Sequence, residues 1–309
     1  MRALRRATGL ALALTYALIV LGAWVRATGS GLACPDWPTC YGHFLPLPGE
    51  IPPQAGYAYY QVMLEWLHRL LAGAMLGPLV LVIGWLAWRA RAHNPRLPGY
   101  AAALVLLLLV QAGLGGVTVL DQNSPWSVAL HLSTALLLFS VLWLIHARTA
   151  PAIARPAGSA GPLSVALWLL ALGAMASAAL TTKSGAALAC ATWPLCDGAL
   201  IPDLSDPAIR LNFSHRLLAL GVGLGALALY LACRGRPHLG SLAALVLLLA
   251  LAEIALGGLM VLWQVPLATA IAHQALGVAT FGAISLLMWR ANAPVSDPQG
   301  VHVRSLSRA

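Results

Sequence analysis

Met63-Leu64-Glu65-Trp66-Leu67-His68-Arg69-Leu70-Leu71-Ala72 opens a run that carries no charge after Arg69 until Arg89. His68 and Arg89 are 21 residues apart. At about 1.5 Å per helical residue, that separation is roughly one hydrocarbon thickness. The same arrangement returns from His131 to Arg148, His215 to Arg234 and His273 to Arg290, over 17, 19 and 17 residues. Four histidines therefore fall at one depth, near one end of four membrane spans. Ionisable groups inside a membrane are expensive, so each is a functional-site hypothesis.

Composition agrees with that reading. The chain has 309 residues, 60% hydrophobic and 9% charged, with a mean hydropathy of +0.81. This excludes a soluble domain with one core and predicts an all-α polytopic membrane protein. Eight apolar runs are long enough to cross: 8–26, 63–88, 99–120, 128–147, 163–182, 210–233, 240–262 and 267–289. Only helices satisfy the backbone along such runs.

Orientation follows from the basic residues. Arg2, Arg5, Arg6, Arg89, Arg91, Arg96, Arg148, Arg155, Arg234, Arg236, Arg290, Arg304 and Arg308 fall on the N-terminal side, leaving Arg26, Arg69, Lys183, Arg210 and Arg216. The positive-inside rule puts both termini in the cytoplasm and the four histidines towards the outer face. The net charge of +9 is thus a topology signal. It does not point to nucleic acid, because no basic residues cluster with aromatics on a soluble segment. Met1–Arg6 and the run behind it suggest a signal peptide, but the run is long for one, and the first span is read as retained. Leu32-Ala33-Cys34 lies too far from it for lipoprotein cleavage.

The chain also repeats itself. Thr28-Gly29-Ser30-Gly31-Leu32-Ala33-Cys34-Pro35-Asp36-Trp37-Pro38-Thr39-Cys40 returns as Thr182-Lys183-Ser184-Gly185-Ala186-Ala187-Leu188-Ala189-Cys190-Ala191-Thr192-Trp193-Pro194-Leu195-Cys196, two residues longer. His68-Arg69-Leu70-Leu71-Ala72 returns as His215-Arg216-Leu217-Leu218-Ala219, and Leu114-Gly115-Gly116 as Leu256-Gly257-Gly258. The fold expected is two parallel-repeat four-helix bundles, 1–150 and 163–309, joined by a cytoplasmic linker at 151–162. The halves can share one core.

Cys34, Cys40, Cys190 and Cys196 lie in the two long external loops, where disulfides persist. The pairs Cys34–Cys40 and Cys190–Cys196 can staple their loops or cycle as redox pairs. Zinc is a weaker option, since four thiols from two loops would have to meet. Cys233 reads as a small apolar helix residue. His43, His93, His146, His238 and His302, in loops or at helix ends, read as solvated.

Within each half the second and fourth spans run in the same direction. His68 can face His131, and His215 can face His273, as two pairs of axial ligands for porphyrin iron. Ala72, Ala135, Ala219 and Gly277, one turn below, let a flat macrocycle approach. For a single histidine, helix–helix hydrogen bonding is the competing reading. One residue breaks the symmetry. Glu65 shares the face of His68, whereas Asn212 stands three before His215. Glu65 can move a proton or stabilise a cation; a carboxylate favoured by the helix start is the alternative. Arg69 and Arg216 can pair with porphyrin propionates or anchor the interface. Glu253 lies mid-span, Gln111 is its repeat equivalent, and an internal partner is expected for Glu253.

With these residues the chain resembles the heme A synthase family, of the bacterial type with two external cysteine pairs. The resemblance runs from about Thr15 to Arg290. It is carried by Gly29–Cys40, Glu65-Trp66-Leu67-His68-Arg69, His131, Asn212-Phe213-Ser214-His215-Arg216 and His273. It implies oxidation of a heme O methyl group to a formyl group in two hydroxylation steps, with water as the oxygen source. It further implies that substrate heme O binds between His68 and His131, that heme b iron is held by His215 and His273, and that Glu65 is the essential carboxylate. Residence in a bacterial inner membrane, contact with heme O synthase and oxidase assembly factors, and an unidentified electron acceptor follow from it too. Some members lack the cysteines, so the pairs need not be catalytic. Two other readings are a di-heme electron-transfer cytochrome that oxidises quinol and a heme transporter or assembly factor. Glu65 opposed to Asn212 argues against pure electron transfer.

Overall fold

The computed structural model describes residues 1–150, 160–236 and 239–293. Most of the linker, Arg155, His238, His302, Arg304 and Arg308 lie outside them. Eight helical segments among the described residues are long and apolar enough to span a membrane. They are α1 (Arg2–Ala27), α2 with α3 (Tyr59–Leu70 and Gly77–Arg89), α4 (Leu97–Leu120), α5 (Pro125–Arg148), α6 (Ala160–Lys183), α7 (Pro207–Cys233), α8 (Leu239–Leu262) and α9 (Leu267–Ala291). Each covers its expected run to within a few residues.

Several helix starts are written locally. Ser124 accepts the Ser127 amide ahead of Pro125, and Asp206 accepts the Ala208 amide at 2.7 Å ahead of Pro207. Side-chain caps followed by proline at the first helical position begin helices well. The second span alone is interrupted, by a π-helical stretch over Leu71–Leu76. Pro78 follows it. Proline offers no amide and crowds the carbonyl four residues back, so the backbone widens there. Gly225 holds the matching place in α7, which is continuous.

Contacts close α1, α2/α3, α4 and α5 into one ring and α6, α7, α8 and α9 into another. The rings meet through α1, α5, α6 and α9, and a single buried cluster from Leu4 to Ala291 runs through both. α5 and α9, which carry His131 and His273, are the most enclosed spans; α4 is the least, and its exposed leucines suit lipid contact. Matching turns follow α4 and α8, with left-handed backbone at Gln122-Asn123 and at Gln264-Val265.

Candidate functional site

Two glycines in tandem explain how the histidines are seated. A Cβ on Gly115 would lie 3.3 Å from the His131 ring, and one on Gly257 would lie 2.9 Å from the His273 ring. The next glycine in each helix takes a tryptophan from the external loop: Gly116 lies under Trp37, and Gly258 under Trp193. Each Leu-Gly-Gly motif thus docks a histidine and a loop side by side. On α1, Gly22 does the same for His68, with a 3.3 Å approach.

His68 and His131 face one cavity of about 540 Å³, whose wall also carries Glu65, Gln111, Ala72, Ala135, Trp37 and Pro38. That volume lies within the roughly 300–1,000 Å³ usual for small-molecule sites. Gln111 Nε2 is 3.2 Å from His131 Nε2. In the other half, His215 and His273 stand on α7 and α9, which pack in one ring. His215 Nδ1 lies 3.0 Å from Ser177 Oγ, and His273 Nδ1 lies 3.1 Å from Glu253 Oε1. Glu253 therefore has the internal partner expected of it. Gly277 leaves it room, since a Cβ there would stand 2.8 Å from Glu253 Oε1.

The external loops are closed by disulfides Cys34–Cys40 and Cys190–Cys196. Cys233 is free and buried. Both loops are clamped from below. Arg69 donates to the carbonyls of Asp36, Thr39 (2.7 Å) and Cys34 (3.1 Å) and pairs with Glu65 Oε1 at 2.6 Å. Arg216 donates to the carbonyls of Thr192 (2.8 Å), Leu195 (3.3 Å) and Cys190 (2.6 Å) and to Asn212 Oδ1 (2.8 Å). The structure thus gives both guanidinium groups loop carbonyls as partners, and Arg69 also lines the cavity.

Glu65 is 4% exposed, and its Oε2 accepts the Cys34 amide at 2.8 Å. Asn212 takes the matching place with reversed polarity: its Nδ2 donates to the carbonyls of Ala186 (2.8 Å) and Ala187 (2.9 Å). Within the first loop, burial pushes the Asp36 carboxyl up. Hydrogen bonds from the Thr39 hydroxyl and the Gly42 and Tyr41 amides outweigh it and hold the group below the ordinary carboxylate range. Burial, with Tyr57, Glu65 and Asp36 nearby, pushes the Tyr41 phenol up.

The structure locates the two extra residues of the second repeat, between Thr182 and Gly185, and corrects one sequence reading. Left-handed Gly29 and Gly185 each open a short 3-10 turn five residues before Cys34 and Cys190. The loops are equivalent from those glycines on, and the two-residue shift belongs to the helix before them. His146 is not merely solvated: its Nδ1 is 3.0 Å from Thr8 Oγ1, between α1 and α5. The sequence reading also missed Arg26, Lys183 and Gln274, which line the cavity. The only signal was that Arg26 and Lys183 fell on the histidine side of the membrane.

Comparison with known proteins accords with this geometry. The sequence pattern of the COX15-CtaA family, described as cytochrome oxidase assembly protein, matches residues 5–285. Over 324 aligned residues the chain is 29% identical to the heme A synthase of Shewanella oneidensis, covering 92% of this chain and 96% of that one. It is 32% identical over 305 residues to the heme A synthase of Symbiobacterium thermophilum, covering 94% and 95%. It is 31% identical over 329 residues to that of Methylobacterium sp. (strain 4-46), covering 91% and 89%. A family match over nearly the whole chain, on the helices and loops that build the site, establishes that this chain belongs to the COX15-CtaA family.

Proposed function

We propose that this chain is a heme A synthase, oxidising one porphyrin methyl group of heme O to a formyl group. The balance is R–CH3 + H2O → R–CHO + 4 e⁻ + 4 H⁺, so the site must handle water, protons and electrons. Family membership and relatives of that name over their full length support the activity. The observation that carries the site is that Glu65, His68 and His131 line one cavity.

We assign substrate heme O to that N-terminal cavity, with its iron between His68 and His131. Glu65 is then the carboxylate that takes a proton from attacking water or stabilises positive charge at the methyl carbon. It is held on both oxygens, by Arg69 and the Cys34 amide, so it is oriented before substrate arrives. The Trp37-Pro38 segment forms part of the wall of the same cavity. We assign heme b to the C-terminal half, on His215 and His273. The residues fit: His215 Nδ1 meets Ser177 Oγ, and His273 Nδ1 lies within ion-pair distance of Glu253. Both rings therefore have their neighbour on Nδ1, which leaves Nε2 for iron. Bound there, heme b supplies a one-electron carrier towards an acceptor still to be identified.

The parallel repeat and the cytoplasmic termini are part of this reading. The ring-wise contacts, the matching turns and the clamped loops support the repeat. The basic residues at the ends away from the histidines support the orientation. The test is chromatography of hemes from membranes that contain heme O, with and without this chain. Heme A forms only with it. Failure to form heme A while a bis-histidine heme is present would favour an electron-transfer cytochrome.

A further inference from the structure

We propose that Arg26, Lys183 and Gln274 form the carboxylate-binding end of the N-terminal cavity and hold the propionate groups of the porphyrin substrate. This rests on the assignment of substrate heme to that cavity. The three residues come from α1, α6 and α9, so two of them reach the N-terminal site from the other half.

Three cationic side chains line the cavity: Arg26, Arg69 and Lys183. Arg69 is neutralised by Glu65 and directed into the loop. Neither Arg26 nor Lys183 has a carboxylate within ion-pair distance among the described residues. Among the described residues, Arg26 donates only to a neutral side-chain acceptor, Gln274 Oε1, at 3.3 Å. Two cations beside an apolar cavity repel each other, and an anion between them relieves the cost. Gln274 adds an independent sign. It is 8% exposed, and its Nε2 is buried without a partner. A buried donor left unpaired costs free energy that an incoming acceptor recovers.

The chemistry of the ligand matches. A porphyrin of this class is apolar around most of its rim and carries two carboxylates on one edge. The cavity is likewise apolar along Leu18, Leu108 and Leu132. The His68 ring rests on Gly22, and Arg26 follows one turn later on α1, roughly 6 Å further along the axis. A porphyrin with iron at His68 and its carboxylate edge turned to the α1 terminus therefore meets both cations. The competing account is that Arg26 and Lys183 simply complement helix C-termini.

The test titrates purified full-length protein, its C-terminal heme site saturated, with ferric protoporphyrin IX and with the dimethyl ester of the same compound. Absorbance of the added heme is followed, and His68→Ala identifies the part of the signal due to the N-terminal site. The free acid should bind at least about tenfold more tightly than the ester, as expected for charge-assisted hydrogen bonds. Arg26→Gln and Lys183→Gln should each weaken the free acid by about tenfold and leave the ester unchanged. Equal affinity for acid and ester in the unmodified protein overturns the proposal without relying on any variant; so do substitutions that leave free-acid binding untouched. If His68→Ala leaves the titration unchanged, the N-terminal heme assignment fails as well. If His68→Ala abolishes binding but acid and ester are not distinguished, only the carboxylate end fails.

Discussion

In the N-terminal half the external loop offers an amide, Cys34 N–H, to the residue four before the clamp arginine; in the C-terminal half it offers two carbonyls, those of Ala186 and Ala187. Glu65 answers the first loop and Asn212 the second, and both also engage their arginine. The comparison separates structure from chemistry. An uncharged side chain suffices to hold a disulfide loop on its arginine, as Asn212 does. Asn212 can do so because its loop offers carbonyls, whereas both partners of Glu65 are donors, so the carboxylate, 4% exposed, serves the clamp as well. What sets it apart is its place in the cavity wall with His68 and His131, on which the proposed reaction rests.

The comparison breaks most visibly at the histidines. His215→Ala or His273→Ala should remove the low-spin bis-histidine heme b spectrum of the purified protein, while His68→Ala should leave it. Spectra of the three variants at equal expression decide this, and a full spectrum in both C-terminal variants would end the division of roles. A smaller effect sharpens the loop seating. A Cβ on Gly258 would stand 2.7 Å from the Trp193 ring, against 3.5 Å for Gly116 and Trp37. Gly258→Ala should cost about 1–3 kcal/mol by overpacking, and Gly116→Ala much less. Thermal unfolding of the two variants side by side checks the order, and equal losses would contradict it.

The smallest effect is pH dependence. Asp36 accepts the Tyr41 amide at 2.6 Å, whereas in the second loop Thr192 Oγ1 accepts the Asp197 amide at 2.8 Å. The folded Asp36 pKa is depressed, so its contribution is complete above the ordinary value of 3.8 and is lost as pH falls through the lower folded value. Amide exchange at Tyr41 should accelerate relative to Asp197 only in that acid range. Parallel behaviour of the two amides would refute the assignment.

The eight spans were legible because apolar length alone determines them. The break after His68 was not: Pro78 is plain in the sequence, but membrane helices often tolerate proline, so its effect depends on local packing. Glu65 and the histidines stood out through shared depth and the repeat. The partners of Arg69 and Arg216 did not, because loop carbonyls carry no residue-type signal. The tandem glycines were visible as a repeat but not as seats for a ring and a tryptophan. Arg26, Lys183 and Gln274 lie on three helices that meet only when the halves pack, and no spacing along the chain records that.

The central claim is that chemistry belongs to the half with the carboxylate. The direct measurement is chromatography of hemes extracted from cells that make heme O and carry Glu65→Gln at wild-type levels, with the C-terminal heme spectrum taken from the same membranes. The glutamine can still accept one hydrogen bond, though its amide nitrogen would face a donor, so the spectrum serves as the control for folding. We expect heme A to fall at least about a hundredfold, with heme O or a hydroxylated form accumulating and the C-terminal spectrum intact. Heme A at wild-type amounts would remove Glu65 from the mechanism, and loss of both signals would make its role structural.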